Sequence, residues 1–321
     1  MGNLRLLVTA RSFARYDAEP IDRLKANSIE MIRSKIQGPL NEEGLLKAID
    51  EAGHIDAIMV GNDAVTAKVL EKLLPARVVS RYGVGVDNID IQAAKALGIT
   101  VTNTPGTNDR SVADLAMGLV LSCARLMPWH MNSVQKGSWD RKMGYELGGK
   151  VLGIIGMGRV GKGLAVRASS FGMKLVGFDK YWDEGFAEAN NVTFASIEEI
   201  LRISDFVSLH IPATPETENI INAESIAAMK TGASLINTAR GELIDEKALA
   251  EAVKAGKLRA AAVDVTRSEP PAGSPLIGID NIMITPHIGA NTEEAGKLMS
   301  SIAAENVIEV LSGKECNNKV N

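Results

Sequence analysis

The chain alternates, from one end to the other, between short and almost continuously apolar runs and segments with helical spacing. The runs that read as strands are Leu4–Thr9, Ala57–Gly61, Val78–Tyr82, Thr100–Asn103, Val151–Ile155, Lys174–Phe178, Phe206–Ile211, Ala233–Thr238, Ala260–Val265 and Ile282–Thr285. A strand with one wet face alternates apolar and polar residues, whereas a strand covered on both faces has no need to. The runs therefore predict parallel sheets flanked by helices on each side, the α/β class. Some helix ends are legible as well. Ser196-Ile197-Glu198-Glu199 has the spacing of a capping box, and Asp245 is placed to cap a helix that runs to Ala255 and stops at Gly256.

At 321 residues the chain exceeds what a single core usually holds, roughly 250–300 residues, so two lobes are expected. One strand–helix series occupies about residues 1–102. A long helical pattern, about Ser111 to Lys136, leads to a second series that begins at Val151, and a last helix, about Thr292 to Leu311, has no strand after it.

Composition narrows the function classes. A formal net charge of -4 with no long run of one sign argues against nucleic acid as the main partner. The chain has no 18-residue apolar stretch, and its amino-terminal apolar run is too short for a signal sequence. Leu6 stands where a myristoylation signal wants Ser or Thr. Cys123 and Cys316 have no metal-type spacing and form no disulfide framework, so a reducing cytoplasm and no resident metal are expected.

The most specific motif is Gly156-Met157-Gly158-Arg159-Val160-Gly161, which follows the strand Val151–Ile155 and opens a helix to about Phe171. In this setting the first glycine permits the tight turn, the second lets backbone approach a pyrophosphate, and the third lets helix and strand pack closely. The helix N-terminus then offers N–H groups and the positive end of its dipole to the phosphates. A second strand, Lys174–Phe178, ends in Asp179, 18 residues after Gly161. An acidic residue at that place accepts from the ribose hydroxyls and repels a 2′-phosphate, which selects NAD over NADP.

Ligands of open α/β sheets bind outside the carboxyl ends of the strands. Of the four histidines, His210 and His287 end strands; His130 lies in a helical stretch beside Trp129, and His54 lies on the opposite side of a sheet. Two further strand ends are polar: one leads to Arg240-Gly241, the other through Asp264 to Glu269-Pro270. A guanidinium fork matches a carboxylate and polarises a carbonyl. A histidine exchanges protons near neutrality, and a glutamate on its far nitrogen fixes its tautomer. Together Arg240, Glu269 and His287 suit a 2-keto acid, with an anchor, a proton donor and an orienting group.

The chain resembles the D-isomer-specific 2-hydroxyacid dehydrogenase family over nearly its whole length. The segments that carry the resemblance are Gly83–Asp90 (GVGVDNID), Asn103–Asn108 (NTPGTN), Gly156–Gly161, Asn237–Gly241 (NTARG), Asp264-Val265 with Glu269-Pro270, and Thr285–Gly289 (TPHIG). The resemblance implies two lobes, the larger a Rossmann-type NAD-binding domain at residues 103–292. The substrate-binding domain is then residues 1–102 together with 293–321. It implies Arg240 on the substrate carboxylate and keto oxygen, His287 as acid/base, Glu269 as its partner, and the backbone of Val84 and Gly85 on the substrate carboxylate. It assigns Thr238 and Asp264 to the nicotinamide pocket and His210 and Pro212 to the cofactor's flank; Ala239 and Gly289 complete the cofactor set. A hinged cleft, a homodimer and NAD as cofactor follow from the same resemblance.

The stretch from Gly137 through Trp139 to Arg141 and Lys142 looks most like phosphoglycerate dehydrogenases, with hydroxypyruvate reductases close by. Two departures stand against that substrate. Gly61-Asn62-Asp63 replaces the arginine–serine pair usual after the third strand, and the Asp63 carboxylate is expected to be a poor neighbour for a phosphate. Many members also carry a C-terminal regulatory domain, whereas this chain ends soon after its last helix. The segment Val265-Thr266-Arg267-Ser268 differs from the usual aromatic–acidic loop, and Arg267 reads as a solvated loop arginine. The expected activity is hydride transfer between nicotinamide and carbon 2 of a small 2-hydroxy or 2-keto acid. One alternative is an NAD-sensing regulator of the corepressor type on the same fold. The other, a formate dehydrogenase, expects glutamine where Glu269 stands.

Overall fold

The protein is described from a computed structural model over residues 3–36 and 38–321. Met1 and Gly2, on which the expected absence of an amino-terminal signal partly rests, lie outside the described residues. The chain divides into two compact units, Met1–Asn108 with Asn291–Asn321, and Asp109–Ala290.

The first unit runs β1 (Leu4–Val8), α1 (Glu19–Ala26), β2 (Ile29–Arg33), α2 (Glu42–Ala52), β3 (Ala57–Val60), α3 (Ala67–Leu73), β4 (Val78–Arg81), α4 (Ile91–Ala96) and β5 (Thr100–Thr102). Its strands are parallel in the order β2-β1-β3-β4-β5. Every residue of β3 is buried, which is why its sequence does not alternate. Asn41, Thr66 and Asp90 cap α2, α3 and α4 by accepting from backbone N–H groups of the first turn.

The second unit runs α5 (Asp109–Ala124), α6 (Met127–Gln135), β6 (Val151–Ile155), α7 (Arg159–Ser170), β7 (Lys174–Phe178), α8 (Glu184–Asn190), β8 (Val192–Phe194), α9 (Ile197–Ile203), β9 (Phe206–Leu209), α10 (Ala223–Ala228), β10 (Ala233–Asn237), α11 (Glu246–Lys254), β11 (Leu258–Val263) and β12 (Ile282–Ile284). The sheet is parallel in the order β12-β11-β10-β9-β6-β7-β8. The order reverses between β6 and β9, which makes that strand junction the switch point of a doubly wound sheet. Apolar clusters cover both faces: one takes Leu164 and Ala168 of α7 with Val120 of α5, the other Ile200 of α9 with Leu249 of α11. The last helix, α12 (Glu293–Leu311), packs in the first unit. There the Ser80 hydroxyl donates to the Ala303 carbonyl at 3.3 Å and Arg77 Nη2 to the Leu311 carbonyl at 2.9 Å.

Several expectations are corrected. The single helix expected over Ser111–Lys136 is two, α5 and α6, bent by 66°. Leu126 takes a left-handed φ of 50° at the break, and Pro128 fits the first turn of the new helix because its missing N–H is not needed there. Strands β2 and β8 were not anticipated. Both are edge strands with exposed side chains, so neither shows an unbroken apolar run. The Ser196 hydroxyl does accept from Glu199 N–H, but the reciprocal capping box lies at Asn222 and Ser225. Asn103 to Asn108 group with the first unit: Asn103 N–H donates to the Asn318 carbonyl and Thr104 N–H to the Gly83 carbonyl. Among the described residues no single helix is long and apolar enough to cross a membrane.

Candidate active site

The carboxyl edge of the second sheet carries the candidate residues in strand order. Asp179 follows β7, the glycine turn follows β6, His210 follows β9, Thr238 to Arg240 follow β10, Asp264 to Glu269 follow β11, and Thr285 to Gly289 follow β12. Backbone bonds register the last three: Asp264 N–H donates to the Asn237 carbonyl at 2.8 Å, and His287 N–H donates to the Asp264 carbonyl at 2.9 Å.

The glycine turn is built as a close approach of backbone to backbone. Gly156 has φ 102°, and a Cβ there would lie 2.6 Å from the His210 carbonyl. A Cβ on Gly161 would lie 2.0 Å from the Gly156 oxygen, while one on Gly158 would meet nothing within 4 Å. The turn thus packs tightly on the inside and stays open at Gly158, the N-cap of α7, which has no side-chain cap. Asp179 is fixed beside it, its Oδ2 accepting from Met157 N–H at 2.7 Å and its Oδ1 from Tyr181 N–H at 2.8 Å. Arg159 stands 3.8 Å from Asp109, whose carboxyl is raised above its usual range by burial and drawn back by that arginine. At the far side of the switch point the Thr238 hydroxyl is buried without a hydrogen-bond partner among the described residues. An uncapped helix N-terminus, an anchored carboxylate and an orphaned buried hydroxyl fit a bound dinucleotide.

Glu269 and His287 meet: His287 Nδ1 lies 2.8 Å from Glu269 Oε2. Their side chains keep 35% and 37% of their surface, so the pair is open to a ligand while its geometry is fixed. A carboxylate only accepts, so this contact puts a proton on Nδ1 and leaves Nε2 outside the contact. His287 has φ 52°, an uncommon conformation for histidine. Two anchors hold it there, its N–H donating to the carbonyls of Asp264 and Thr285, both at 2.9 Å. Asp264 is buried and organises the whole turn. Its Oδ1 accepts from the Thr285 hydroxyl at 2.6 Å and Ile288 N–H at 2.8 Å, and its Oδ2 from Gly289 N–H at 2.8 Å.

Arg240 is half-buried at the start of the short turn Gly241–Leu243, its Nη1 donating to the Ala239 carbonyl at 2.7 Å. Asn237 ties the turn back, its Nδ2 donating to the Arg240 carbonyl at 2.7 Å and its Oδ1 accepting from Ala239 N–H at 2.9 Å. Gly241 admits no side chain, because a Cβ would lie 2.1 Å from the Thr266 carbonyl carbon. The arginine turn and the glutamate loop are therefore in direct backbone contact.

His210, the residue after β9, has its Nε2 2.8 Å from the Ser208 hydroxyl. Burial lowers its pKa to about 4, so its ring is uncharged near neutrality and is no imidazolium acid. In the unfolded chain the ring binds its proton nearer pH 6.5, so falling pH favours unfolding between about 6.5 and about 4. Urea unfolding at about pH 7 and pH 4.5 is expected to show a smaller acid loss for His210→Asn than for the unsubstituted chain. Equal losses would remove His210 as a source of acid sensitivity. The two other histidines have partners of their own. His54 Nε2 is 3.6 Å from Asp56 before β3, and His130 Nε2 accepts from Lys142 N–H at 3.1 Å.

In the first unit the loop after β4 is held by its carbonyls. Arg81 Nε donates to the Gly85 carbonyl at 2.9 Å, Arg81 Nη1 donates to the Tyr82 carbonyl, and Asn103 Nδ2 donates to the Val84 carbonyl at 2.7 Å. The expectation about Asp63 is corrected. Its carboxylate is buried and accepts from the Thr9 hydroxyl at 2.5 Å, Leu40 N–H at 2.8 Å and Gly61 N–H at 3.0 Å. It is engaged with the protein's own donors, so the argument against a phosphate based on a free acidic neighbour does not hold.

Sequence reasoning missed Thr285, Thr266 and Ser208 as supports of this edge. The first was detectable, since it opens the Thr285–Gly289 motif; the others make local contacts, two or three residues along the chain.

A doubly wound sheet with a glycine turn, an anchored carboxylate after β7 and polar strand ends defines the second unit as a dinucleotide-binding domain of the oxidoreductase kind. Residues 117–289 match the family model for D-isomer specific 2-hydroxyacid dehydrogenase, NAD binding domain, and the chain belongs to that family. It is 48% identical over 286 residues to a D-3-phosphoglycerate dehydrogenase of Methanocaldococcus jannaschii, covering 88% of this chain and 54% of that protein. It is 40% identical over 309 residues to a hydroxypyruvate reductase of Thermotoga maritima, covering 93% and 99%. The chain thus spans about half the length of the first relative and nearly all of the second. A D-lactate dehydrogenase from Aquifex aeolicus, solved with NAD and lactic acid, superposes with a TM-score of 0.82 at 27% identity over 96% of each chain.

Proposed function

We propose that the protein is an NAD-dependent D-2-hydroxyacid dehydrogenase acting on a small 2-keto acid of the hydroxypyruvate, glyoxylate or 3-phosphoglycerate type. The observation that carries this reading is the Glu269–His287 pair, 2.8 Å apart, on the strand-end loops beside Arg240. When bound, NAD supplies or accepts the hydride at carbon 2. Gly156, Gly158, Arg159, Val160 and Gly161 hold its pyrophosphate and Asp179 its ribose hydroxyls. His210 and Pro212 flank it, and Thr238, Ala239, Asp264 and Gly289 line its nicotinamide end. Arg240 anchors the substrate carboxylate and polarises the keto oxygen. His287 moves a proton between Nε2 and that oxygen, and Glu269 stabilises the charged ring that results. Val84 and Gly85 contribute backbone to the carboxylate. The relatives named above are catalysts, and nothing observed favours a regulatory protein.

The reading extends to a homodimer in the cytoplasm. Trp139 and Met143, in the segment that follows α6, are 81% and 87% exposed, and Met131 and Val134 of α6 are exposed too; these uncovered apolar side chains suit burial against a second copy. Cys123 and Cys316 are both buried and unpaired, which suits a reducing compartment. A monomeric mass by light scattering at micromolar concentration would overturn the dimer.

NADH oxidation across 2-keto acids with and without phosphate tests the activity; absence of turnover with every member would reject it. Asp179→Ala is expected to shift the NADH-to-NADPH preference toward NADPH by about tenfold or more, as one charged hydrogen bond is lost and a repulsion removed. An unaltered preference would count against the ribose contact.

A further inference from the structure

Arg267 is an exposed loop arginine, as expected, but it is tied to three neighbouring segments. Its Nη1 donates to Glu218 Oε1 at 3.0 Å, and its Nη2 donates to Asn219 Oδ1 at 2.6 Å and to the Glu242 carbonyl at 3.3 Å. Its backbone N–H donates to Glu246 Oε1 at 2.9 Å, in the first turn of α11. One residue therefore fastens the loop after β11 to the loop after β9, to the turn that begins with Arg240 and to α11.

What hangs from that loop is the candidate chemistry. Thr266, the residue before, directs its N–H at Glu269 Oε1 at 3.4 Å, and its hydroxyl donates to the Ser268 carbonyl at 2.8 Å. Glu269 Oε2 meets His287 Nδ1. On the other side, the Thr266–Arg267 backbone lies against Gly241 so closely that no Cβ fits between them. Movement of Arg267 would carry the glutamate away from its histidine and slide the loop past the arginine turn.

We propose that Arg267 is a positioning residue. It holds the Glu269 carboxylate in line with His287 and keeps that pair in register with Arg240. The proposal rests on the roles given above to those three residues. The Arg267–Glu218 pair is about half exposed, with side chains 42% and 52% accessible. Pairs of this kind add little to folding stability, whereas a misplacement of about 1 Å in a catalytic group costs about a hundredfold in rate. The signature is therefore a loss of rate without a loss of fold.

The test uses the whole chain, hydroxypyruvate or glyoxylate, and NADH. Arg267→Ala is expected to lower kcat about 10- to 100-fold. The KM for the keto acid, the NADH affinity and the melting temperature should stay close to those of the unsubstituted chain. Glu218→Gln should give a smaller loss in the same direction, and Arg267→Lys should recover part of the rate. In the Glu269→Gln background, Arg267→Ala should add almost nothing, because residues acting through one another are not additive. The proton resonance of His287 Nδ1–H, identified by its loss in His287→Ala, should broaden or move in Arg267→Ala and persist in Arg267→Lys. Wild-type kcat in Arg267→Ala, an effect confined to KM, or a full additional loss on top of Glu269→Gln would each overturn the proposal. If Glu269→Gln and His287→Ala themselves turned over at the wild-type rate, the underlying assignment would fall instead, and the inference with it.

Discussion

His287→Ala is expected to lower kcat for keto-acid reduction by roughly 10²–10⁴-fold, the range for loss of a positioned general acid. NADH binding, followed by fluorescence, should change little, because the glycine turn and Asp179 stand on β6 and β7 at the other end of the strand order. The backbone of the turn is secured by Asp264, whose carboxylate takes the Thr285 hydroxyl and the Ile288 and Gly289 N–H groups without help from the imidazole. The substitution therefore removes a proton carrier and leaves its platform. A kcat within about tenfold of the unsubstituted chain would mean that the proton comes from elsewhere.

Arg240→Ala is expected to raise KM for the keto acid and lower kcat together, with a combined loss in kcat/KM of about 10³-fold or more. A charged fork that anchors the carboxylate in the ground state loses uniform binding, and one that also polarises the developing alkoxide loses stabilisation made only in the transition state. Arg240→Lys should recover little, since a single ammonium cannot reproduce two parallel N–H donors. The main-chain ties from Asn237 to Ala239 and Arg240 do not use the guanidinium, so the variant should melt close to the unsubstituted chain. An unchanged kcat/KM would take both roles from Arg240.

The interior of the fold was legible because covered strands announce themselves. Val151–Ile155 and Lys174–Phe178 match the predicted spans, and most other runs overshoot by a residue or two where polar strand ends begin. The edges were not legible. Ile29–Arg33 includes Glu30 and Arg33, and Val192–Phe194 exposes Thr193 and Phe194, so neither carries the apolar signal that burial on two faces imposes. The break at Leu126 was hidden because both sides of it keep helical spacing. Within the site, residue types such as Arg240, Glu269 and His287 could be read from the chemistry of strand ends. Contacts made by Asp264 and Arg267 could not, because their partners lie 21 to 49 residues away along the chain. Asp63 shows the reverse: on the sequence it reads as a poor neighbour for a phosphate, and the fold buries it among its own donors.

Besides the side-chain ties of Asp264 and Arg267, the three chemical loops are joined through the main chain, Asn237 passing its position to Asp264 and Asp264 to His287 through single peptide hydrogen bonds. Such a relay is blind to side-chain identity. Natural variation at neighbouring loop positions can therefore redraw what a member of this fold accepts while the reacting groups keep their alignment, and new substrates can be explored without first rebuilding the reaction.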